Sequence, residues 1–368
     1  MDYMDDASTV ERKLMRMASS NRIPINGSIE LLPLCNMNCD MCYVRLSKDE
    51  MNAQGRMRSS DEWIELGKQM KEAGVLFLLL TGGEPLLYPE YERVYLELQK
   101  MGMILTINTN GTLIDEKWAN FFSKHKPRRI NITLYGCDDE SYDKLCHYKG
   151  GFEKVIRGIK LLRERNVDVK LSCSLAKSNQ NDFERIIAIG EQLDVPVRVD
   201  TYMMPSSRER SKPFNEQSRL DPITAARCRI QALKHEMKEE LFNQFLDKSI
   251  FEVEHIICEE GYGKMACNAG SCSFTVNCQG NMRPCVIMST PSVSVFEHGF
   301  KNAWELIADT CSQIKLSPKC NACNKKTLCR TCAASALLET GSYDGTPQYM
   351  CDYTNESYRL ILEEKQSD

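Results

Sequence analysis

Three cysteines close to the N-terminus have the spacing of a metal site. Cys35, Cys39 and Cys42 are separated by three and then by two residues. Thiolates this close together can bind one cubane iron–sulfur cluster and leave its fourth iron without a protein ligand. An open coordination position distinguishes a reactive metal centre from a structural one. A zinc knot or three free thiols are the alternatives, and zinc is disfavoured because no histidine lies nearby in the sequence.

A second motif, Thr81-Gly82-Gly83-Glu84-Pro85, ends the second predicted strand. Its two glycines permit close backbone approach and unusual dihedral angles. Glu84 offers an acceptor for an ammonium group. Alone, such a sequence is typical of an ordinary turn between two secondary-structure elements. Its position one strand after the cysteine loop favours a shared site, because the carboxyl ends of neighbouring parallel strands lie together.

These two motifs together resemble the radical S-adenosylmethionine (SAM) superfamily, whose signature is a Cys-x3-Cys-x2-Cys loop in a partial barrel. The resemblance implies that the amino and carboxylate groups of SAM chelate the open iron. It also implies the reaction: the reduced cluster cleaves SAM, and the resulting 5′-deoxyadenosyl radical abstracts a hydrogen atom from the substrate. The sequence departs from the pattern at Met41, where an aromatic residue is usual, and Tyr43 is the alternative partner for the adenine.

The resemblance further implies which residues contact SAM. They lie in the cysteine loop and at the ends of predicted strands: Met41, Tyr43, Gly82, Gly83, Glu84, Pro85, Asn108, Asn110 and Thr133. On the sixth predicted strand, Arg198, Asp200 and Tyr202 alternate toward one face and are candidates for contact with substrate or cofactor. Tyr135 is a similar candidate at the barrel mouth. A structural ion pair is the alternative for the sixth strand, and no catalytic base is assigned.

The elements that must position these residues alternate along the chain. After a helical lead-in at 8–20, strands are predicted at 29–34, 76–80, 104–108, 129–135, 167–175 and 195–202. Helices are predicted at 60–73, 91–101, 116–125, 139–146, 151–165 and 181–193. This alternation predicts an α/β fold with a parallel sheet and right-handed crossovers. Six such units are fewer than the eight of a closed barrel, so we expect an open, partial (β/α)6 TIM-like barrel.

We expect the chain to divide into four parts. They are a lead-in helix at 1–22, the partial barrel at 23–205, a helical bridge at 206–257 and a cysteine-rich extension at 258–368. A polar loop is predicted at 205–213 and one or two helices at 221–251. The extension has little periodicity, which predicts little regular structure, and it would need metal clusters to hold it together.

The cysteines of the extension follow a second pattern. Cys267-x12-Gly280-x4-Cys285 precedes Cys320-x2-Cys323-x5-Cys329-x2-Cys332 and then Cys351. This resembles the SPASM extension of part of the radical SAM superfamily, although the last interval of the middle group is usually three residues. The resemblance implies two auxiliary 4Fe–4S clusters, and therefore three clusters in all. The implied ligands are Cys267, Cys272, Cys285 and Cys332 for the first auxiliary cluster, and Cys320, Cys323, Cys329 and Cys351 for the second.

Cys272 is the weakest of these ligands. Without it the first auxiliary cluster would keep an open iron, and Cys278 is a less favoured substitute. A hairpin predicted over 274–285 would bring Cys272 close to Cys267 and Cys285. A zinc ribbon formed by the four cysteines of the middle group is the alternative. Seven cysteines lie outside the sets and are interpreted as buried small hydrophobes or incidental thiols: Cys137, Cys146, Cys173, Cys228, Cys258, Cys278 and Cys311.

Composition limits the setting and the partners. The 368 residues include 18 cysteines and no N-terminal apolar export segment, so we expect a reducing cytoplasm where clustered thiols bind metal. The net charge of −4 argues against a nucleic-acid partner. The longest apolar run, at 75–80, is too short to cross a membrane. A one-electron reductant such as flavodoxin or ferredoxin is an expected partner.

The resemblance to SPASM proteins indicates a peptide substrate. The leading hypothesis is a maturase that installs a thioether or carbon–carbon crosslink in a ribosomally made peptide. About 28 residues precede the barrel, too few for a leader-binding domain, so either a separate leader-binding protein is a partner or the enzyme reads its substrate directly. Oxidation of Ser or Cys, as in anaerobic sulfatase-maturing enzymes, is disfavoured because Val286 replaces their aspartate. Two further hypotheses are a dehydrogenase or epimerase of a small molecule such as an aminosugar, and an iron–sulfur electron carrier.

Overall fold

The computed structural model describes residues 9–204, 218–329 and 331–367. Its first part alternates strands with helices after the lead-in helix. In chain order the elements are α1 (Thr9–Ser20), β1 (Asn26–Glu30), α2 (Lys48–Gln54), α3 (Ser60–Glu72), β2 (Phe77–Thr81), a 3-10 helix (Pro85–Leu87), α4 (Tyr91–Lys100), β3 (Ile104–Thr109), α5 (Glu116–Lys124), β4 (Arg129–Thr133), α6 (Asp139–Cys146), α7 (Gly151–Glu164), β5 (Val169–Ser174), α8 (Phe183–Gln192) and β6 (Val197–Asp200).

The six strands are parallel and lie in chain order, which confirms the predicted sheet. Ile29 lies opposite Leu80, and Ile132 lies opposite Leu171. All four side chains are fully buried, as strands covered by helices require. The carboxyl ends of all six strands therefore meet at one edge of the sheet, where the predicted motifs lie.

Local sequence signals explain where several of the helices begin. Ser47 and Ser59 each accept a hydrogen bond from the backbone N–H of a glutamate three residues later, and that glutamate side chain accepts a bond from the serine N–H. These capping boxes satisfy backbone donors that would otherwise have no partner. Asp115 and Asp138 start α5 and α6 in a similar way, through their side-chain oxygens.

After the barrel, the elements are α9 (Pro222–Glu236), α10 (Glu239–His255), β7 (Gly263–Lys264), β8 (Ser273–Val276), β9 (Asn281–Arg283), β10 (Val293–Ser294), α11 (Val295–His298), α12 (Phe300–Ser312), β11 (Lys315–Leu316), α13 (Pro318–Asn321), α14 (Ala333–Thr340) and α15 (Gln348–Ser367). The helical prediction at 221–251 corresponds to two helices. The loop predicted at 205–213 lies outside the described residues, as does the start of the predicted bridge.

The cysteine-rich region contains more regular structure than the sequence indicates. Its last helix, α15, has 20 residues, and α12 has 13. The predicted hairpin is present as β8 and β9, but β8 also pairs in parallel with β1. The barrel sheet therefore continues as one nine-stranded sheet in the order β10-β9-β8-β1-β2-β3-β4-β5-β6.

The apolar side chains of this region share one hydrophobic core with the barrel. Phe274 on β8 packs edge-on against Phe300 of α12, with ring centroids 5.0 Å apart, and against Trp304 at 6.2 Å. These rings belong to the same hydrophobic core as the barrel strands. A segment that has too few apolar residues for a core of its own can thus form long helices. Among the described residues, no helix is both long and apolar enough to span a membrane.

Candidate active site

A cavity of about 370 Å³ lies at the carboxyl ends of the barrel strands. Most of the predicted site residues lie on its wall: Cys35, Cys39, Met41, Cys42, Tyr43, Gly82, Gly83, Asn108, Asn110, Thr133, Tyr135, Asp200 and Tyr202. The cavity thus collects side chains from the cysteine loop and from the ends of several strands. Glu84, Pro85 and Arg198 are not among the lining residues.

The end of helix α6 holds the cysteine loop in place. The backbone N–H of Asn38 donates to the carbonyl of Cys146 at 2.9 Å, and that of Asp40 donates to the carbonyl of Leu145 at 3.1 Å. His147, which follows α6 in the left-handed region (φ 52°), places its Nε2 2.7 Å from Asp40 Oδ1. The terminal carbonyls of a helix have no partner within the helix, so they are available to fix this loop. Nothing in the local sequence indicates this contact, because the two sides are far apart in the chain.

Nearby N–H groups donate to the thiols that face the cavity. The backbone N–H of Met37 lies 3.4 Å from Cys35 Sγ, and that of Arg45 lies 3.2 Å from Cys42 Sγ. Asn110 Nδ2 donates to Cys35 Sγ at 3.6 Å. Burial raises the pKa of the Cys35 thiol to about 12, so the free thiol is neutral. Iron would favour the thiolate, and hydrogen bonds to sulfur adjust the potential of a cluster. The donor set therefore fits an iron–sulfur cluster held by three cysteines.

Glu84 has a different role from the one expected. Its carboxylate is completely buried and accepts hydrogen bonds from Thr109 Oγ1 at 2.8 Å and from the backbone N–H of Asn110 at 2.8 Å. The N–H of Leu86 also donates to it, at 3.1 Å. Burial raises the pKa of this carboxyl to about 7. Glu84 thus joins the ends of β2 and β3 from behind the cavity wall and does not offer its side chain to a ligand's ammonium group.

The two glycines explain why Glu84 turns inward. The N–H of Gly83 donates to Leu32 O at 2.7 Å, and the N–H of Glu84 donates to Leu34 O at 2.9 Å. A Cβ atom at Gly83 would lie 2.2 Å from Leu34 O, so only glycine permits this approach. The loop after β2 is therefore fixed against the chain that leads into the cysteine loop. Glycine backbone, and not the Glu84 carboxylate, faces the cavity, and Pro85 is buried where the 3-10 helix begins.

The end of β6 and the residues that follow it form another part of the wall. Asp200 and Tyr202 line the cavity, whereas Arg198 lies outside the lining and places its Nε 3.3 Å from Asp200 Oδ1. The expected ion pair at the sheet edge is therefore present. Met203 and Met204 also line the cavity, and Tyr202 Oη donates to Met204 Sδ at 3.0 Å. These two methionines belong to no periodic pattern, so the sequence alone does not single them out.

Comparison with known proteins agrees with this geometry. Residues 29–188 match the radical SAM superfamily. Residues 29–188 therefore form a radical SAM domain. It is 24% identical over 335 residues to an AdoMet-dependent heme synthase of Methanosarcina barkeri, covering 85% of this chain and 92% of the relative. It is 22% identical over 309 residues to the sporulation killing factor maturation protein SkfB of Bacillus subtilis, covering 83% of this chain and 69% of the relative.

A solved structure gives the same fold. SuiB of Streptococcus suis bound to S-adenosylmethionine superposes with a TM-score of 0.67 and 15% identity, covering 93% of this chain and 81% of SuiB. SuiB bound to its precursor peptide SuiA superposes with a TM-score of 0.65 and 16% identity, covering 93% of this chain and 80% of SuiB. The radical SAM partial barrel and the cysteine-rich region that follows it are thus matched together.

Outside this candidate site, four cysteines line a second cavity of about 560 Å³: Cys320, Cys323, Cys329 and Cys351. Burial and the neighbouring thiols raise the pKa of Cys351 and that of Cys320. These four are the ligands that the resemblance implies for the second auxiliary cluster. In the described part of the chain, no three His, Cys, Asp or Glu side chains converge as the ligands of one metal ion would. In a cubane cluster each thiolate binds a different iron atom, so the four sulfur atoms can lie farther apart than the ligands of a single metal ion.

Cys332 is separate from this group. It caps the start of α14, where its Sγ accepts a hydrogen bond from the N–H of Ser335. Burial raises the pKa of Cys285, and the thiols of Cys332 and Cys267 add to that increase. A zinc ribbon would need Cys332 beside Cys329 and its partners. The four thiols of the second cavity thus do not include Cys332, and the two interleaved ligand sets stay a prediction.

Proposed function

We propose that the chain is a peptide maturase: it cleaves SAM at the cluster held by Cys35, Cys39 and Cys42, and installs a thioether or carbon–carbon crosslink in a ribosomally made peptide. The observation that carries this proposal is the cavity itself. It joins the cysteine loop, polar strand ends and an apolar wall in one space. The names of SkfB, a maturation protein, and of SuiB with its precursor peptide support the substrate class.

Different residues of the cavity wall would bind the cluster and SAM. The three cysteines would hold the cluster, which with SAM supplies the reducing electron and the radical that abstracts hydrogen. Asn108 and Thr133 offer hydrogen-bonding groups to the ribose and carboxylate of SAM, and Met41 offers an apolar surface to its adenine. The backbone of Gly82 and Gly83 presents acceptors for the amino group. We assign the SAM site to these residues. Glu84 instead joins the ends of β2 and β3 and does not contact SAM.

The substrate side of the cavity favours a neutral or cationic group. Met203, Met204 and Ile287 provide an apolar surface. The charged side chains among the described lining residues are Glu30 and Asp200, both acidic. Among the described residues the lining provides no cation to pair with a buried anionic group, so burying such a group there is unfavourable. A peptide side chain therefore suits this wall better than a ligand with several carboxylates.

A second candidate function follows from the heme synthase relative, which is similar over 85% of this chain. In this case the substrate would be a tetrapyrrole that carries carboxylate groups. Such a substrate calls for cations on the wall, and the described lining residues provide none. Val286, which also lies on the wall, cannot accept a proton, so oxidation of Ser or Cys by the sulfatase-maturing route is disfavoured as well.

We further infer that residues 258–368 bind two auxiliary 4Fe–4S clusters. In this division of the chain, a lead-in helix at 1–22, the barrel at 23–205 and a bridge at 206–257 come before them. The two separate groups of thiols support this inference. A flavodoxin- or ferredoxin-type protein would supply electrons, and the precursor would be recognised either by a separate protein or by the enzyme itself.

The test is turnover with both substrate classes. The anaerobically reconstituted chain is incubated with SAM, a reductant, and either the short peptides encoded beside its gene or an iron tetrapyrrole. We expect 5′-deoxyadenosine together with a peptide that has lost two hydrogen atoms, as tandem mass spectrometry would show. The variant in which Cys35, Cys39 and Cys42 are alanine is the control. Conversion of the tetrapyrrole with no change in any peptide would refute the proposal and support the second candidate.

A further inference from the structure

The second cavity has a strongly basic lining. The charged side chains among its described lining residues are all lysines: Lys264, Lys319, Lys325 and Lys326. None of the four has a carboxylate within ion-pair distance in the part of the chain that the structure describes. Lys325 and Lys326 donate to neutral acceptors instead, to Asn355 Oδ1 at 2.8 Å and to the carbonyl of Asn321 at 3.1 Å. The positive charge of this lining is therefore not balanced by neighbouring side chains.

A fifth lysine joins this surface from the short ribbon of β7 and β11. Lys315 lies directly opposite Lys264 in the antiparallel pairing of the two strands, and both side chains are exposed. Like charges in directly opposed positions destabilise a sheet. Lys315 Nζ also lies 5.4 Å from the ring centroid of Tyr262, which is 54% exposed. An anionic partner against this ribbon would relieve the repulsion between the two lysines. We call Lys264, Lys315, Lys319, Lys325 and Lys326 the lysine surface.

The lysine surface shares its cavity with the thiols that are predicted to bind the second auxiliary cluster. All four cysteines of that cavity are half-buried, so a cluster held there would be close to solvent. The first cavity has the opposite charge, because the charged side chains of its described lining are Glu30 and Asp200. An acidic protein would therefore be attracted to the second cavity and not to the first.

We propose that the lysine surface is the docking site of an acidic one-electron carrier protein of the flavodoxin or ferredoxin type. The choice of an electron carrier rests on the proposal that this cavity binds an auxiliary cluster. In the docked complex the reduced carrier loses one electron and the cluster gains it. Charge complementarity would steer the encounter, and the exposed ring of Tyr262 would provide apolar contact beside the charges.

The first test measures how fast a flavodoxin of strong net negative charge binds the full-length, reconstituted chain. The variant carries Lys264→Gln, Lys315→Gln and Lys319→Gln together, because these three side chains are exposed. We expect its association rate constant at low salt, measured by stopped-flow fluorescence of the flavin, to be about tenfold lower than that of the unaltered chain. The difference should disappear at about 1 M salt, where the Debye length is about 3 Å.

The matched control removes the same charge from helices of the barrel. It carries Lys71→Gln, Lys124→Gln and Lys160→Gln, which are exposed lysines of α3, α5 and α7. Its association rate constant should stay within about twofold of that of the unaltered chain. An equal decrease in both variants would reflect net charge alone and would overturn the proposal, as would an unchanged rate in the first variant. With dithionite in place of flavodoxin, 5′-deoxyadenosine formation should be equal in all three proteins, which reports on folding.

Carbodiimide cross-linking locates the contact in the unaltered chain, so it does not depend on how any variant folds. The reagent joins lysine amines to carboxylates that touch them. We expect mass spectra to show flavodoxin peptides joined to Lys264, Lys315 or Lys319, and cross-links confined to other lysines would overturn the proposal. A variant that binds flavodoxin normally but no longer binds the precursor peptide would overturn it too, because the surface would then bind the substrate.

Iron content separates the failure of this proposal from the failure of the proposed function. If the unaltered chain binds about twelve irons and the three lysines do not affect flavodoxin binding, only the docking site is wrong. If the unaltered chain cleaves SAM but binds about four irons, the auxiliary clusters are absent, and the electron transfer proposed here is wrong with them.

Discussion

The radical SAM site and the cysteine-rich region both gather thiols, but they do so over different distances in the chain. The three cysteines of the radical SAM site lie on one short loop, whose backbone is fixed by α6 and by the loop after β2. The thiols of the other region come from loops and helices spread over 267–351. A site on one loop can be recognised by its spacing, whereas a site assembled from distant segments depends on how the whole region folds.

The largest effect should come from removing the thiols of each region in turn. Replacing Cys35, Cys39 and Cys42 with alanine should reduce 5′-deoxyadenosine below detection and lower the iron content from about twelve to about eight per chain. Replacing the four cysteines of the second cavity should lower iron by a similar amount but leave SAM cleavage measurable. Cleavage that persists without the first three cysteines would contradict the assignment of the radical SAM site.

The same contrast explains how much of the fold can be predicted from the sequence. Apolar runs locate the six barrel strands to within a few residues, but the first is predicted at 29–34, whereas β1 ends at Glu30. Leu32 and Leu34 leave the sheet because their carbonyls accept from the N–H groups of Gly83 and Glu84. Apolar patterning cannot distinguish such a segment from a strand.

The direction of a side chain after a turn is equally hard to predict. The motif places Glu84 on the cavity wall, but its carboxylate faces Thr109 and Asn110. The contact between Cys311 and Gly270, like the pairing of β8 with β1, joins segments that are distant in the chain. Short-range spacing therefore predicts the cysteine loop of the barrel, while long-range contacts decide which cysteines of the extension meet.

The shared core of the two regions can be tested by truncating an aromatic ring on each side. Phe274→Ala in β8 and Phe122→Ala in the barrel both remove a ring that is at most 2% exposed, at a cost of about 3–5 kcal/mol. Because β8 pairs with β1, we expect each variant to increase hydrogen exchange in both regions of the reconstituted protein. Faster exchange in the cysteine-rich region alone after Phe274→Ala would show that the two regions unfold separately.

Glu84 should make stability depend on pH. Its carboxyl has a pKa of about 7 in the folded protein and an ordinary value of 4.5. The folded state keeps a proton that the unfolded state releases between these values, so raising the pH favours unfolding across this window. The loss should approach about 3 kcal/mol once the pH exceeds the folded-state pKa.

Glu84→Gln removes this titration and is the matched variant. Thermal melting of the two proteins between about pH 4.5 and about pH 8 measures the difference between their free energies of unfolding. We expect the unaltered chain to lose stability relative to Glu84→Gln as the pH rises. If the difference in stability between the two proteins is constant across this pH range, the Glu84 carboxylate is already ionised at the lowest pH. The cysteine-rich region provides the comparison, since its thiols with raised pKa values do not titrate in this window.

The smallest effect is expected at the edge of the barrel sheet. Arg198 is 51% exposed and its ion pair with Asp200 lies largely in solvent, so Arg198→Ala should change the free energy of unfolding by less than about 1 kcal/mol. Arg198 does not line the cavity, whereas Asp200 does. We therefore expect Arg198→Ala to leave the KM for the peptide unchanged and Asp200→Asn to raise it. A raised KM in Arg198→Ala, with unchanged melting, would instead mean that Arg198 positions Asp200 for the substrate.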